Sequence, residues 1–276
     1  MGMIGSWLTW WVNRPEFPER GRSEFPELTA IEFQDKPVVV TGSMKPIFED
    51  GDASANLKAS VHVAGMRTAN GERLDQVFIC FGGRILRGNR TAKVGSGYRA
   101  IGTPRVDDLG RYETSGRRWG IPKWELRPPT RQVVPDRGEV SFPRLEPCRI
   151  PLLRLFPGVT AEMVADVARD ADAIVVEAYG SGTGPRSVRE YLDSLAADGC
   201  IVAVTSEAVW GEVQVGAYAT DLVAEDGRLI ACRNMLAEAA LAKLHYLVGK
   251  ADRSRPDWRE HVARLMRISI RGENGD

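Results

Sequence analysis

The 276-residue chain carries 37 basic and 37 acidic side chains, with a pI near 6.9. Balanced charge gives no global attraction to nucleic acid or to an anionic membrane surface, so neither is expected as a partner. The length suffices to bury a substantial core, in one large or two modest domains. The four cysteines, Cys80, Cys148, Cys200 and Cys232, form no CxxC pair and read as buried thiols of a reducing compartment. None of the three histidines belongs to a cluster with metal-ligand spacing, and no cofactor is expected.

The opening MGMIGSWLTWWVN is apolar, yet it lacks a basic n-region and a small-residue cleavage site and is too brief to span a bilayer. A cytoplasmic location is therefore expected. Residues 1–27 hold Trp7, Trp10 and Trp11, then Pro, Arg and Glu without helical or strand period, and read as an irregular segment. The tryptophans either cover a sheet edge or form an unpaired apolar patch, the first being the better reading.

From Leu28 the pattern becomes α/β. Leu28–Phe33 reads as a helix end, Val38–Thr41 as a strand and Gly42-Ser43 as the turn beyond it. Ala53–Ala64 reads as a helix with Leu57, Val61 and Ala64 on its apolar face. Val77–Phe81 is an unbroken apolar run, the signature of a strand buried on both faces. Two glycines follow, where backbone can approach a ligand closely, and then Arg84, Arg87, Arg90, Lys93 and Arg99. For an arbitrary chain this is a solvated basic loop. Just beyond the carboxyl end of a sheet strand, however, a lysine is well placed for chemistry.

The span to about Pro147, with Arg111, Arg117, Arg118, Trp119, Trp124 and Pro128-Pro129, reads as surface loop and linker rather than as a nucleic-acid surface. A second α/β unit then begins near Cys148. Ile150–Leu155, Ala173–Ala178 and Ile201–Thr205 read as strands, and Ala161–Arg169 and Ser187–Ala197 as helices. The second helix turns Val188, Tyr191, Leu192 and Leu195 inward and ends at Gly199. Asn234–Gly249 and Trp258–Ile268 complete the helices. Strands alternating with helices at this spacing predict a parallel sheet.

Four segments occur in order: KPVVVTGSMKP at Lys36–Pro46, GGRILRGNRTAK at Gly82–Lys93, EAYGSGTGP at Glu177–Pro185 and AEAALAKLHYL at Ala237–Leu247. Together they resemble the bacterial-type L-asparaginase family, more closely its cytoplasmic (type I) branch. The resemblance implies two α/β domains with parallel sheets, an incomplete N-terminal domain over 28–147 with its linker and a smaller C-terminal domain over 148–276. It implies amide hydrolysis of L-asparagine by acyl transfer, in a homo-oligomer, with no cofactor. By the same resemblance Lys93 is a catalytic residue and Ser43 offers its backbone carbonyl to the substrate amide. Thr183 stands where type I enzymes carry an asparagine that reaches a neighbouring subunit, and Lys243 and His245 are structural.

Family members also carry a Gly-Gly-Thr turn, whose threonine is the nucleophile, and a His-Gly-Thr-Asp-Thr segment with a second threonine and an aspartate. Neither occurs before Lys36. Thr9, Thr29 and Thr41 are the hydroxyls nearest in sequence to the missing segments, and all three read as structural. The expectation is a catalytically impaired or inactive chain. The alternatives are a working hydrolase with an unconventional N-terminal portion, a non-catalytic binding or assembly protein, and a fragment completed by a partner chain. Neither GGRIL nor GSGTG has the G-x-G-x-x-G frame of a dinucleotide site.

Overall fold

A computed structural model describes residues 37–67, 71, 77–97, 100–112, 145–225, 227–270 and 272–274, and the backbone of 124–126. The irregular segment 1–27, the helix end at Leu28–Phe33, Thr9, Thr29, Arg99, Arg117, Arg118, Trp119 and Pro128-Pro129 lie outside the described residues. The chain divides into two compact units, Met1–Phe142 and Pro143–Asp276.

In the first unit a five-stranded sheet runs in the order β1 (Val38–Thr41), β2 (Val77–Phe81), β3 (Arg84–Arg87), β6 (Gly110–Tyr112), β7 (Trp124–Leu126). A separate two-stranded hairpin joins β4 (Ala92–Lys93) to β5 (Ile101–Gly102). Helix α1 (Ala53–Gly65) is the crossover between β1 and β2, which pair in parallel from Val38↔Val77 to Thr41↔Cys80. The expectation of a parallel sheet holds for these two strands alone. The pairs β2–β3, β3–β6 and β6–β7 are antiparallel.

The cause is the Gly82-Gly83 pair. Both glycines are left-handed, with φ of 59° and 82°, as a two-residue type I′ hairpin requires. A parallel return would need a long crossover, for which there is no room between Phe81 and Arg84. The glycines therefore reverse the chain tightly. As expected, β2 is buried on both faces: Phe78 and Cys80 pack with Ala59, Val63 and Ile85, while Ile79 and Phe81 pack with Leu86, Ala100 and Ile101.

Helix α1 corrects the sequence reading in its facing. Its buried residues are Asn56, Ala59, Ser60 and Val63, whereas Leu57 and Val61 are exposed. The helix is turned so that Asn56 and Ser60 share the covered side with Ala59 and Val63, and the predicted stripe of Leu57, Val61 and Ala64 is exposed. The basic segment is solvated only in part, with Lys93 exposed. Arg87, on β3, and Arg90, in the 3-10 turn Gly88–Arg90, are buried.

In the second unit four parallel strands run β11 (Ile230–Ala231), β10 (Ile201–Ser206), β9 (Ala173–Ala178), β8 (Leu152–Arg154). Side chains alternate between two apolar layers. Ala173, Val175, Ile201 and Ala203 meet α4 (Ala237–Lys250) and α5 (Trp258–Arg267), with Leu244, Val262 and Met266 fully covered. Ile174, Val176, Val202 and Val204 meet α2 (Ala161–Ala168) and α3 (Arg186–Ala197) through Val164, Val188 and Leu192. The layers are therefore helix, sheet and helix.

The predicted stop of α3 is a Schellman motif. The Gly199 N–H donates to Ala196 O at 3.1 Å and the Cys200 N–H to Leu195 O at 3.1 Å, with Gly199 at φ 96°. A buried ion pair, Lys243 Nζ to Glu273 Oε1 at 2.6 Å, fastens the segment after α5 onto α4. All four thiols are free, and burial pushes Cys80 and Cys232 up to about 12 and Cys148 and Cys200 up to about 11. Among the described residues no helix is long and apolar enough to cross a membrane.

Candidate functional site

Ser43 leaves the sheet immediately after β1, at the end where β2 passes into its glycine turn. Thr41 closes the strand, and its hydroxyl donates to Cys80 O at 2.7 Å, leaving it committed to the sheet. Ser43 itself is exposed, and its own hydroxyl donates to Lys45 O at 2.6 Å.

The main chain around Ser43 is held from both sides by buried side chains. Asn56 Nδ2 donates to Gly42 O at 2.8 Å and to Asp52 Oδ2 at 3.0 Å. Asn56 Oδ1 accepts from Tyr112 Oη–H at 2.8 Å and from the Gly82 N–H at 3.3 Å. A backbone acceptor on one side and a backbone donor on the other fix which way the amide points. The Met44 N–H donates to the Asp52 carboxylate, at 2.9 Å to Oδ1 and 3.2 Å to Oδ2. Burial pushes the Tyr112 phenol upward, so it stays a donor. The available signal was the i, i+4 pair Asp52 and Asn56, polar residues where a crossover helix should face its sheet.

Lys93 lies on β4, in register with Ile101 of β5, and is exposed. The hairpin is attached to the sheet by Arg84, the first residue after the glycine turn. Arg84 Nη1 donates to Ile101 O at 2.9 Å, while its Nε and Nη2 grip the Asp108 carboxylate in a fork. Burial works to raise the Asp108 pKa, but hydrogen bonds from Arg84 and Thr103 and the charges of Arg84 and Arg111 outweigh it. The net shift is downward. Met44, beside Ser43, packs in the same apolar cluster as Ile101. The Ser43 turn and the Lys93 hairpin thus share one support on one face of the sheet.

In the second unit the Tyr179–Pro185 turn is built for shape. A Cβ on Gly182 would lie 2.8 Å from Val213 Cγ1, and one on Gly184 would lie 2.7 Å from Leu222 Cδ2. The Thr183 hydroxyl donates back to Tyr179 O at 3.4 Å. His245 faces Cys148 Sγ through Nδ1 at 3.3 Å, and burial lowers its pKa. No group of three His, Cys, Asp or Glu among the described residues has the arrangement to hold a metal ion.

Comparison with known proteins places these segments. Residues 28–122 match the family model described as "Asparaginase, N-terminal", and residues 149–260 match "Glutaminase/Asparaginase C-terminal domain". The L-asparaginase 1 of Escherichia coli K12 is 29% identical over 249 residues, covering 88% of this chain and 68% of that protein. The solved L-asparaginase I of Vibrio cholerae is 28% identical with a TM-score of 0.72, covering 92% of this chain and 73% of that one. The thermostable L-asparaginase of Thermococcus kodakarensis superposes with a TM-score of 0.70 at 29% identity, covering 88% of this chain and 69% of its own.

Proposed function

The chain belongs to the L-asparaginase family, and from that premise we propose that it binds the side-chain amide of L-asparagine between the Ser43 main chain and Lys93. The observation that carries this reading is the shared support of the two segments, Met44 packing against the apolar cluster that contains Ile101 while Arg84 holds the hairpin that bears Lys93. Ser43 C=O would accept from the substrate NH2 group, and the Lys93 ammonium would stand over the reacting carbonyl or move its proton. As an amidohydrolase of this family the chain would release ammonia and aspartate, as a homo-oligomer acting on a small-molecule substrate without a cofactor.

A second reading is supported by one specific observation. Neither Gly-Gly-Thr nor His-Gly-Thr-Asp-Thr occurs anywhere in the 276 residues. Without a positioned hydroxyl an acyl-enzyme cannot form, and loss of one member of a cooperating group costs orders of magnitude in rate. On this reading the chain by itself binds the amide and turns it over slowly or not at all. Ammonia release from asparagine, measured beside Lys93→Ala, separates the two. Lys93-dependent turnover at ordinary enzyme rates supports the hydrolase. Binding of asparagine without turnover supports the second reading, and absence of both rejects the site.

A further inference from the structure

The carbonyl of Ser43 and the N–H of Met44 belong to one peptide unit. In a trans peptide the two point in opposite directions, so whatever fixes the N–H also fixes the carbonyl. Here the Met44 N–H is gripped by both oxygens of a carboxylate that is only 8% exposed. The preceding peptide is gripped too, through Gly42 O on Asn56 Nδ2. Asn56 is 1% exposed, and its remaining capacity is filled by Asp52, Tyr112 and Gly82. We propose that Asp52 is a positioning residue that aims the Ser43 carbonyl outward for amide recognition, with Asn56 and Tyr112 holding Asp52 and the turn in place.

The chemistry follows from the donor and acceptor inventory. An outward carbonyl is an acceptor only, so it rewards a ligand that brings N–H and repels one that brings a carboxylate oxygen. A carboxylate bonded to the peptide N–H also polarises the peptide, strengthening its oxygen as an acceptor. A side chain that touches no ligand thereby sets the choice between an amide and its hydrolysis product. This role rests on the proposed site, because it takes Ser43 C=O as the amide acceptor.

The test uses the purified full chain, with affinities for L-asparagine and L-aspartate measured by calorimetry and protection of the Met44 amide measured by hydrogen exchange. The wild type is expected to prefer the amide at least about tenfold, as one well-made hydrogen bond to a buried or charge-supported group allows, and to show a protected Met44 amide. In Asp52→Ala the preference collapses and the Met44 amide exchanges freely, while aspartate affinity is retained. Asp52→Asn keeps a neutral acceptor for the Met44 N–H and recovers part of the preference. Tyr112→Phe removes the phenol that donates to Asn56 and meets the Gly83 main chain, leaves Asp52 and Asn56 in place, and is the safeguard if Asp52→Ala does not fold; its preference falls by less, in step with Met44 protection. An unprotected Met44 amide in the wild type, or unchanged preference in Asp52→Ala or in a Tyr112→Phe chain with lost protection, overturns the positioning role. A protected Met44 amide in a wild type without amide preference overturns the reading of Ser43 itself, and the role with it.

Discussion

Lys243→Met removes one half of a buried ion pair at nearly constant side-chain length. Lys243 Nζ and Glu273 Oε1 are 2.6 Å apart, their side chains 7% and 6% exposed. The ammonium also donates to Ile268 O at 2.5 Å and to Met266 O at 3.4 Å, and Glu273 Oε1 accepts from the Ile270 N–H at 2.9 Å. Removing the lysine takes the opposite charge from a buried carboxylate and the donor from two carbonyls. Breaking a buried pair from one side costs about 3–5 kcal/mol. The lower end applies here, because Glu273 keeps its hydrogen bond from the Ile270 N–H. For a chain of this size each kcal/mol moves Tm by about 2–4 °C, so a fall of about 6–12 °C is expected. The assay is thermal unfolding by circular dichroism, with the double variant Lys243→Met/Glu273→Leu recovering most of the loss. A single variant melting within about 1 °C of wild type would refute the reasoning, and so would a double variant no better than the single.

Arg84→Ala should release the β4–β5 hairpin from the sheet. Hydrogen exchange of Val94, whose N–H donates to Ala100 O at 2.8 Å, should quicken, and the fold of the second unit should be unmoved. The Asp108 carboxyl, held below its ordinary value, contributes stability that is complete above the unfolded pKa of about 3.9 and is lost as pH falls towards the folded value. Acid titration should therefore show Asp108→Asn losing less stability than wild type below about pH 4. Gly199→Ala, at φ 96°, should cost about 1 kcal/mol in urea unfolding, because only the Schellman turn is strained.

The sequence was most legible where one physical demand acted alone. The runs at Val77–Phe81, Ala173–Ala178 and Ile201–Ser206 had to be covered on both faces, and they are. Val188 and Leu192 face inward on α3, and Gly199 ends it, because helical period and a left-handed stop agree. Reading failed where two demands competed. Leu57 and Val61 mark an apolar face on α1, yet the turn after β1 needs Asn56, and satisfying buried main-chain groups outweighs covering two side chains. Gly82-Gly83 was legible as an I′ hairpin, but the basic residues after it drew attention to ligand approach instead. At the site, Ser43 and Lys93 came from resemblance. Asp52 and Asn56 were legible only as a polar i, i+4 pair, because the groups they hold, Gly42 O and the Met44 and Gly82 N–H groups, leave no mark in a side-chain pattern.

Two of the sulfurs hold one further consequence. Cys80 and Cys232 are fully buried and pushed up to about 12, so their alkylation at neutral pH waits for the polypeptide to open. Cys80 lies in one unit and Cys232 in the other. The order in which these positions gain mass in iodoacetamide therefore reports which half of the molecule lets go first, with no introduced label.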